Sequence, residues 1–170
     1  MHRRVHGLAA GKHRSLPARR LLAPAMHWKQ LADAPERSYA IVLETGDEVV
    51  STLEAFAAGQ RLTASRCTAI GAFMHVTLGY FDWQARAYER TPIDEQLEVL
   101  SLVGDIALAD GRPKLHAHVV LGRRDTTTRG GHLLEARVRP TLEVLLVDAP
   151  AHLRRRFDAA SGLALIDPRC

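Results

Sequence analysis

Three histidines offer the chain's most specific chemistry. His116 and His118 stand in Leu115-His116-Ala117-His118-Val119, and His132 follows in Gly130-Gly131-His132-Leu133. In an extended strand, residues two apart project from the same face. His116 and His118 therefore share a face, while Leu115, Ala117 and Val119 turn the other way, into a core. A hairpin would bring His132 beside them. Three converging imidazoles fill three corners of a tetrahedral zinc site and leave the fourth for water or substrate. The paired glycines before His132 would let the backbone turn tightly beside the metal. The pattern fits two other arrangements. Nine histidines in 170 residues can meet on the solvated face of an antiparallel sheet, or hydrogen-bond across a subunit interface without a metal.

Two carboxylates are candidates for proton transfer. Glu98 shares a strand face with Leu100, and Glu143 shares one with Leu145. A carboxylate on a partly apolar face needs a partner or a raised pKa. Either could support a metal-bound histidine or act as a general base. The simpler alternative is that each sits on an exposed or interface face and pairs with an arginine, Arg137 and Arg139 being close in sequence. Gly111-Arg112-Pro113-Lys114 contains the Gly-Arg-Pro core of an AT-hook but lacks its flanking basic residues, and reads as a turn. Arg154-Arg155-Arg156 reads as a solvated helix face. Cys67, inside an apolar strand, reads as a buried small hydrophobe. No nucleophile-elbow, P-loop or dinucleotide fingerprint is present.

The elements that must carry these residues are mostly strands. Residues 39–43 form a short apolar run. Thr45-Gly46-Asp47-Glu48 then precedes an amphipathic helix on Val49, Leu53, Phe56 and Ala57, with the two acids in its first turn and Gly59 as its stop. Strands are predicted over residues 67–70, 74–81, 85–90, 97–109, 115–121, 132–138 and 142–147. Gly104 is the expected bulge, Asp110-Gly111 a hairpin turn, residues 123–131 a polar loop and Pro140 a separator. Residues 151–159 read as a short arginine-rich helix and 162–165 as a last extended piece. One main helix among about eight strands makes the fold α+β with a mostly antiparallel sheet.

Composition bounds the rest. The 170 residues are 46% hydrophobic and 25% charged, with a formal net charge of +4, the balance of one soluble domain. The positive charge is local. Residues 1–30 hold Arg3, Arg4, Lys12, Arg14, Arg19, Arg20 and Lys29 and no acid, whereas the remainder carries sixteen basic and nineteen acidic residues, a net of −3. Such an arm could contact DNA through phosphates. It also has the composition of a targeting peptide, or it is upstream sequence with Met26 as the true start. The chain is expected to divide into a basic, disordered extension over 1–37, a domain over 38–166 and a tail over 167–170. Two cysteines exclude a disulfide framework. No apolar run approaches a membrane span and no secretory signal core is evident, so the default location is the cytoplasm.

Seven segments in order carry a family resemblance: Thr45-Gly46-Asp47-Glu48, Ala69-Ile70-Gly71-Ala72, Leu78-Gly79-Tyr80-Phe81-Asp82, the run from Glu98 to Gly104-Asp105, the run from Leu115 through His116 and His118 to Gly122, Gly130-Gly131-His132-Leu133, and Pro140-Thr141-Leu142-Glu143-Val144. Over residues 38–166 the chain resembles the PPC domain of plants and prokaryotes, also called DUF296. The resemblance implies an α+β fold and a homotrimer. In plants the domain follows AT-hooks that bind AT-rich DNA, and single-domain prokaryotic members carry a DNA-binding label. The plant partner-binding segment Gly-Arg-Phe-Glu-Ile-Leu stands here as Glu95-Gln96-Leu97-Glu98-Val99-Leu100, with three of six positions changed, so partner recognition is not carried over. The fold is also similar to that of acetolactate decarboxylase, a zinc enzyme whose metal is held by a His-x-His pair and a later histidine. That resemblance implies zinc at His116, His118 and His132. Two functions follow: a trimeric regulatory or DNA-binding protein, or a zinc-dependent enzyme acting on a small carbonyl or carboxylate substrate.

Overall fold

The computed structural model describes residues 26–32 and 35–169. The basic residues expected to contact DNA, Arg3, Arg4, Lys12, Arg14, Arg19 and Arg20, lie outside the described residues. The elements are β1 (His27–Ala32), β2 (Arg37–Glu44), α1 (Val49–Gln60), β3 (Ala64–Asp82), β4 (Ala87–Ile93), β5 (Leu97–Ala109), β6 (Arg112–Gly122), β7 (Thr128–Asp148), β8 (Arg154–Asp158) and β9 (Leu163–Asp167). The α+β expectation holds: one helix packs on a nine-stranded sheet that is antiparallel except for a single parallel contact between β5 and β8.

Two long strands organise the sheet. β3 pairs with β7 along nearly its whole length, β3 also pairs with β5, β5 with β6, and β6 returns to β7. These four strands form a closed circuit of pairing, which removes most of the open edge. The predicted pieces 67–70 and 74–81 are one strand, as are 132–138 and 142–147. Each strand continues through its breaker residue. At Gly71 (φ +149°) a Cβ would collide with the Thr141 carbonyl, so only glycine lets β3 cross β7 there. Around Pro140 the pairing of β7 with β3 lapses between Val138 and Leu142 and then resumes. That lapse is how a strand absorbs a residue without an N–H.

α1 is capped by Glu48, whose side chain accepts from the N–H groups of Val50 and Ser51. The acid therefore sits at the N-cap, one position before the first turn. The helix runs past Gly59 and ends at Arg61 in the left-handed region. Its Val49, Leu53, Phe56 and Ala57 are buried, and Phe56 meets Tyr39 of β2 edge to face, centroids 5.3 Å apart.

Other expectations are corrected. Gly104 is in regular register with Cys67 and Ala117, and the bulges fall instead between Ala69 and Gly71 and between Val99 and Ser101. Gly104 is needed for a different reason: a Cβ would lie 2.8 Å from the His116 carbonyl oxygen and 2.9 Å from Ala117 Cβ. Residues 27–32, assigned to a disordered extension, pair with β2 as a strand. Within residues 151–159, expected as a helix, Arg154–Asp158 form the first arm of the β8–β9 hairpin. The hairpin turn at Asp110-Gly111 is as expected, with both residues at positive φ. Among the described residues, no helix is long and apolar enough to cross a membrane.

Candidate metal centre

β6 alternates as its sequence predicts. Ala117, Val119 and Leu121 are buried in the core, and His116 and His118 stand on the opposite face. His132 is the direct cross-strand partner of His118, because β6 and β7 run antiparallel from Gly122–Thr128 to this pair. Gly130 and Gly131 are not a turn beside the site. They lie within β7 opposite Val120 and Val119, and a Cβ on either would come within about 3 Å of a carbonyl on a neighbouring strand, Val119 O or Gly79 O. They allow close strand approach rather than chain reversal.

The three rings meet. Their centroids are 5.2, 5.2 and 5.4 Å apart, and one nitrogen from each lies within 4.8 Å of the others. A zinc–nitrogen bond of about 2.0–2.1 Å would set ligand pairs about 3.3 Å apart, so the rings would close in on a bound ion. His132 stacks on Tyr88 of β4 with centroids 4.6 Å apart. Its Nδ1 is buried and has no hydrogen-bond partner. Such an orphaned nitrogen is costly unless a further group binds it.

Electrostatics favour the neutral, ligating form of His118 and His132. Burial, followed by the neighbouring His116, His118 and Arg155, pushes His132 down to about 4. Burial, then His116, also lowers His118. Neutral imidazoles suit borderline metals such as zinc, so this group of residues could hold a metal ion.

A carboxylate does reach the histidines, but it is neither Glu98 nor Glu143. It is Asp105, the cross-strand partner of His116, with Oδ2 3.4 Å from His116 Nδ1. Burial tends to raise its pKa, but contacts with His116 and Arg155 outweigh this and hold it below the ordinary carboxylate range. Arg155 of β8 donates from Nη2 to Asp105 Oδ1. Nothing in the sequence marks Asp105 or Arg155 as a neighbour of the histidines, and Arg155 lies on a strand rather than the solvated helix face expected. Asp105 could have been found by asking which residue on the strand before the Asp110-Gly111 turn faces His116.

Glu98 lies near the start of β5, paired with Ala72 and Gly122. Five positions separate it from Val103, the partner of His118, a run of roughly 16 Å. Glu143 lies near the far end of β7, opposite Ile70 and Val42. The structure does not bring either carboxylate to the histidines, and both are exposed. The apolar faces inferred around them are real. Glu143 stands among Val42, Ile70, Leu100 and Leu145 in a depression of about 400 Å³, and this face of the sheet points outward. Ile70 is 59% exposed and Leu145 58%.

A second depression, of about 330 Å³, is shared by His116, His132, Tyr88, Arg155 and the β9 residues Leu163 and Leu165. It gives the histidine cluster access to solvent.

Comparison with known proteins places the fold. A crystal structure of a protein from Bacteroides thetaiotaomicron, described as a putative DNA binding protein, is 26% identical, covers 85% of this chain and 99% of that one, and superposes with a TM-score of 0.80. The plant- and prokaryote-conserved (PPC) protein of Pyrococcus horikoshii is 30% identical over 77% of this chain and 91% of its own, with a TM-score of 0.73. A protein of Archaeoglobus fulgidus described as metal-containing is 30% identical over 85% and 99%, with a TM-score of 0.72. No curated protein matches the chain. The family model of the Plants and Prokaryotes Conserved (PCC) domain matches residues 31–150, from the second half of β1 to the end of β7, and the chain belongs to that family.

Proposed function

We propose that this chain is a zinc-dependent PCC-domain protein that acts on a small carbonyl or carboxylate compound and works as a homotrimer. One observation carries the reading: three imidazoles from neighbouring strands, with donor atoms within 4.8 Å of one another, opening on a cleft. Zinc bound there supplies a Lewis acid with one position not taken by the protein. The chain's own residues do the rest. His116, His118 and His132 bind as neutral ligands. Tyr88 holds the plane of His132, and Leu163 and Leu165 line the cleft. Arg155 Nε, buried and without a partner, is a donor for an anionic group of the bound compound. The relative from Archaeoglobus described as metal-containing supports the metal part of the reading.

The homotrimer accounts for the outward apolar face. Val42, Ile70, Leu100, Val103 and Leu145 are all exposed, and monomers rarely leave aliphatic side chains contiguous in this way. Glu143 belongs to this face, so its role in the proposal is in assembly rather than proton transfer.

The test is metal content per subunit of untagged protein beside the His116→Ala/His118→Ala double variant, with the mass in solution measured by sedimentation equilibrium. About one zinc per chain, lost in the variant while a trimeric mass persists, supports the reading. No zinc in either protein after zinc is added back would overturn it.

The charge of the first thirty residues favours a second reading, regulation through DNA. The Bacteroides relative described as a putative DNA binding protein points the same way. The six basic residues from Arg3 to Arg20 would supply phosphate contacts without base readout. Binding should then fall with a log–log salt slope of about −5 and vanish in a chain starting at Met26. Salt-insensitive binding would overturn this reading.

A further inference from the structure

The family match ends at residue 150, yet the chain continues into the β8–β9 hairpin, and that hairpin reaches the histidines. The Arg155 side chain is 9% exposed. Its Nη1 donates to the Ala164 carbonyl at 3.2 Å, and its Nη2 donates to Asp105 Oδ1. The other oxygen of Asp105 faces His116 Nδ1. Both oxygens of this carboxylate are thus engaged, one by the hairpin and one by a candidate ligand. Further bonds tie the hairpin to the rest of the chain. Leu108 N donates to Leu153 O at 2.9 Å, Leu153 N to Thr63 O at 3.1 Å, and Arg86 Nη1 to Ala159 O at 3.3 Å.

We infer that the C-terminal hairpin is a working part of the metal centre, with Arg155 as a positioning residue that locks Asp105, which in turn holds His116 by Nδ1 and leaves its Nε2 for the ion. The inference rests on the zinc reading above. A ligating histidine is oriented by what its second nitrogen meets, and loss of that partner weakens metal binding about 10–100-fold. A carboxylate with one free oxygen can rotate away. The planar guanidinium, fixed at its other end by Ala164, removes that freedom. Coupling of this kind is reciprocal, so zinc should also steady the hairpin.

The experiment uses the full chain with zinc as the probe. Zinc affinity is read by competition with a chromophoric chelator for wild type, Arg155→Met, Asp105→Asn, the Asp105→Asn/Arg155→Met double variant and His132→Ala. The unfolding midpoint of each metal-free protein is recorded alongside. His132→Ala should lose the site. Arg155→Met and Asp105→Asn should each weaken zinc about 10–100-fold, and the double variant should be no weaker than Asp105→Asn alone. Amide exchange over residues 154–167 should slow on adding zinc to wild type but not to Asp105→Asn.

Arg155→Met with wild-type affinity, or a double variant showing the product of both losses, would overturn the inference. So would a lowered metal-free midpoint with unchanged affinity, since that describes a salt bridge that only supports the fold. Should Arg155→Met not fold, the near-isosteric Asp105→Asn decides, and unchanged affinity there overturns the inference. His132→Ala binding as tightly as wild type would instead sink the zinc reading itself.

Discussion

His132 makes the metal-free protein acid-sensitive in a calculable way. An imidazole in an unfolded chain titrates near 6.5, whereas burial holds this one at about 4. Above pH 6.5 neither state carries the proton and the residue contributes no pH dependence. As pH falls through 6.5 the unfolded chain takes up a proton that the folded chain refuses until about pH 4. Stability therefore declines across that window and levels off below it. The gap between 6.5 and about 4 sets a ceiling of about 3 kcal/mol. The ring is only partly buried, so solvent screening reduces this to about 1–2 kcal/mol. The assay is urea unfolding of metal-free wild type and His132→Asn at fixed protein concentration, at pH 7.5 and pH 4.5. Wild type should lose about 1–2 kcal/mol more than the variant on acidification. Equal losses would refute the reasoning, as would an NMR titration placing the folded-state midpoint of His132 at or above 6.

Three further outcomes follow from packing. Gly104→Ala should cost about 1–3 kcal/mol by urea unfolding and also weaken zinc, because the new methyl meets the His116 carbonyl at 2.8 Å; an unchanged midpoint would contradict the close approach. Asp148, 3% exposed, accepts from Thr63 N, Ala64 N, Ser65 Oγ and Arg37 Nη2, so Asp148→Ala should cost about 3–5 kcal/mol by the same measurement. Cys67 is buried and its thiol is pushed up to about 12, first by burial and then by Asp105; in a Cys170→Ser background it should resist a disulfide reagent at pH 8 until the protein is unfolded.

The histidine cluster was legible because period two is a local property of a strand. His-x-His declares a shared face without knowledge of any neighbour, and Gly-Gly-His names the strand beside it. Asp105 was hidden because its partnership with His116 is a matter of register across a turn, and nothing within its own strand marks it. Glu98 and Glu143 drew attention by standing among aliphatics. That observation holds, but sequence pattern cannot say whether an apolar strand face points to the core or away from it. Arg155 was misassigned because Ala-His-Leu-Arg-Arg-Arg has good helix formers. Pairing with Leu163–Asp167 overrides that preference, and the alternation of Arg154, Arg155 and Arg156 between exposed and half-buried positions is the strand period asserting itself. Gly104 reads as a bulge in sequence, and Gly71 carries no local signal of its role. Both are contact residues, chosen for the absence of a side chain where backbones touch.

The three histidines come from adjacent strands joined by a short loop, while the sheet that carries them depends on pairs as distant in sequence as Ser65 and Asp148. The ligands are thus near one another in the chain even when the fold is lost. His-x-His survives denaturation as a local chelating pair, and His132 is within easy loop closure of it. On the proposed zinc reading, the ion retains some affinity for the unfolded chain, and the rise in melting temperature on metal addition understates how tightly the native site binds.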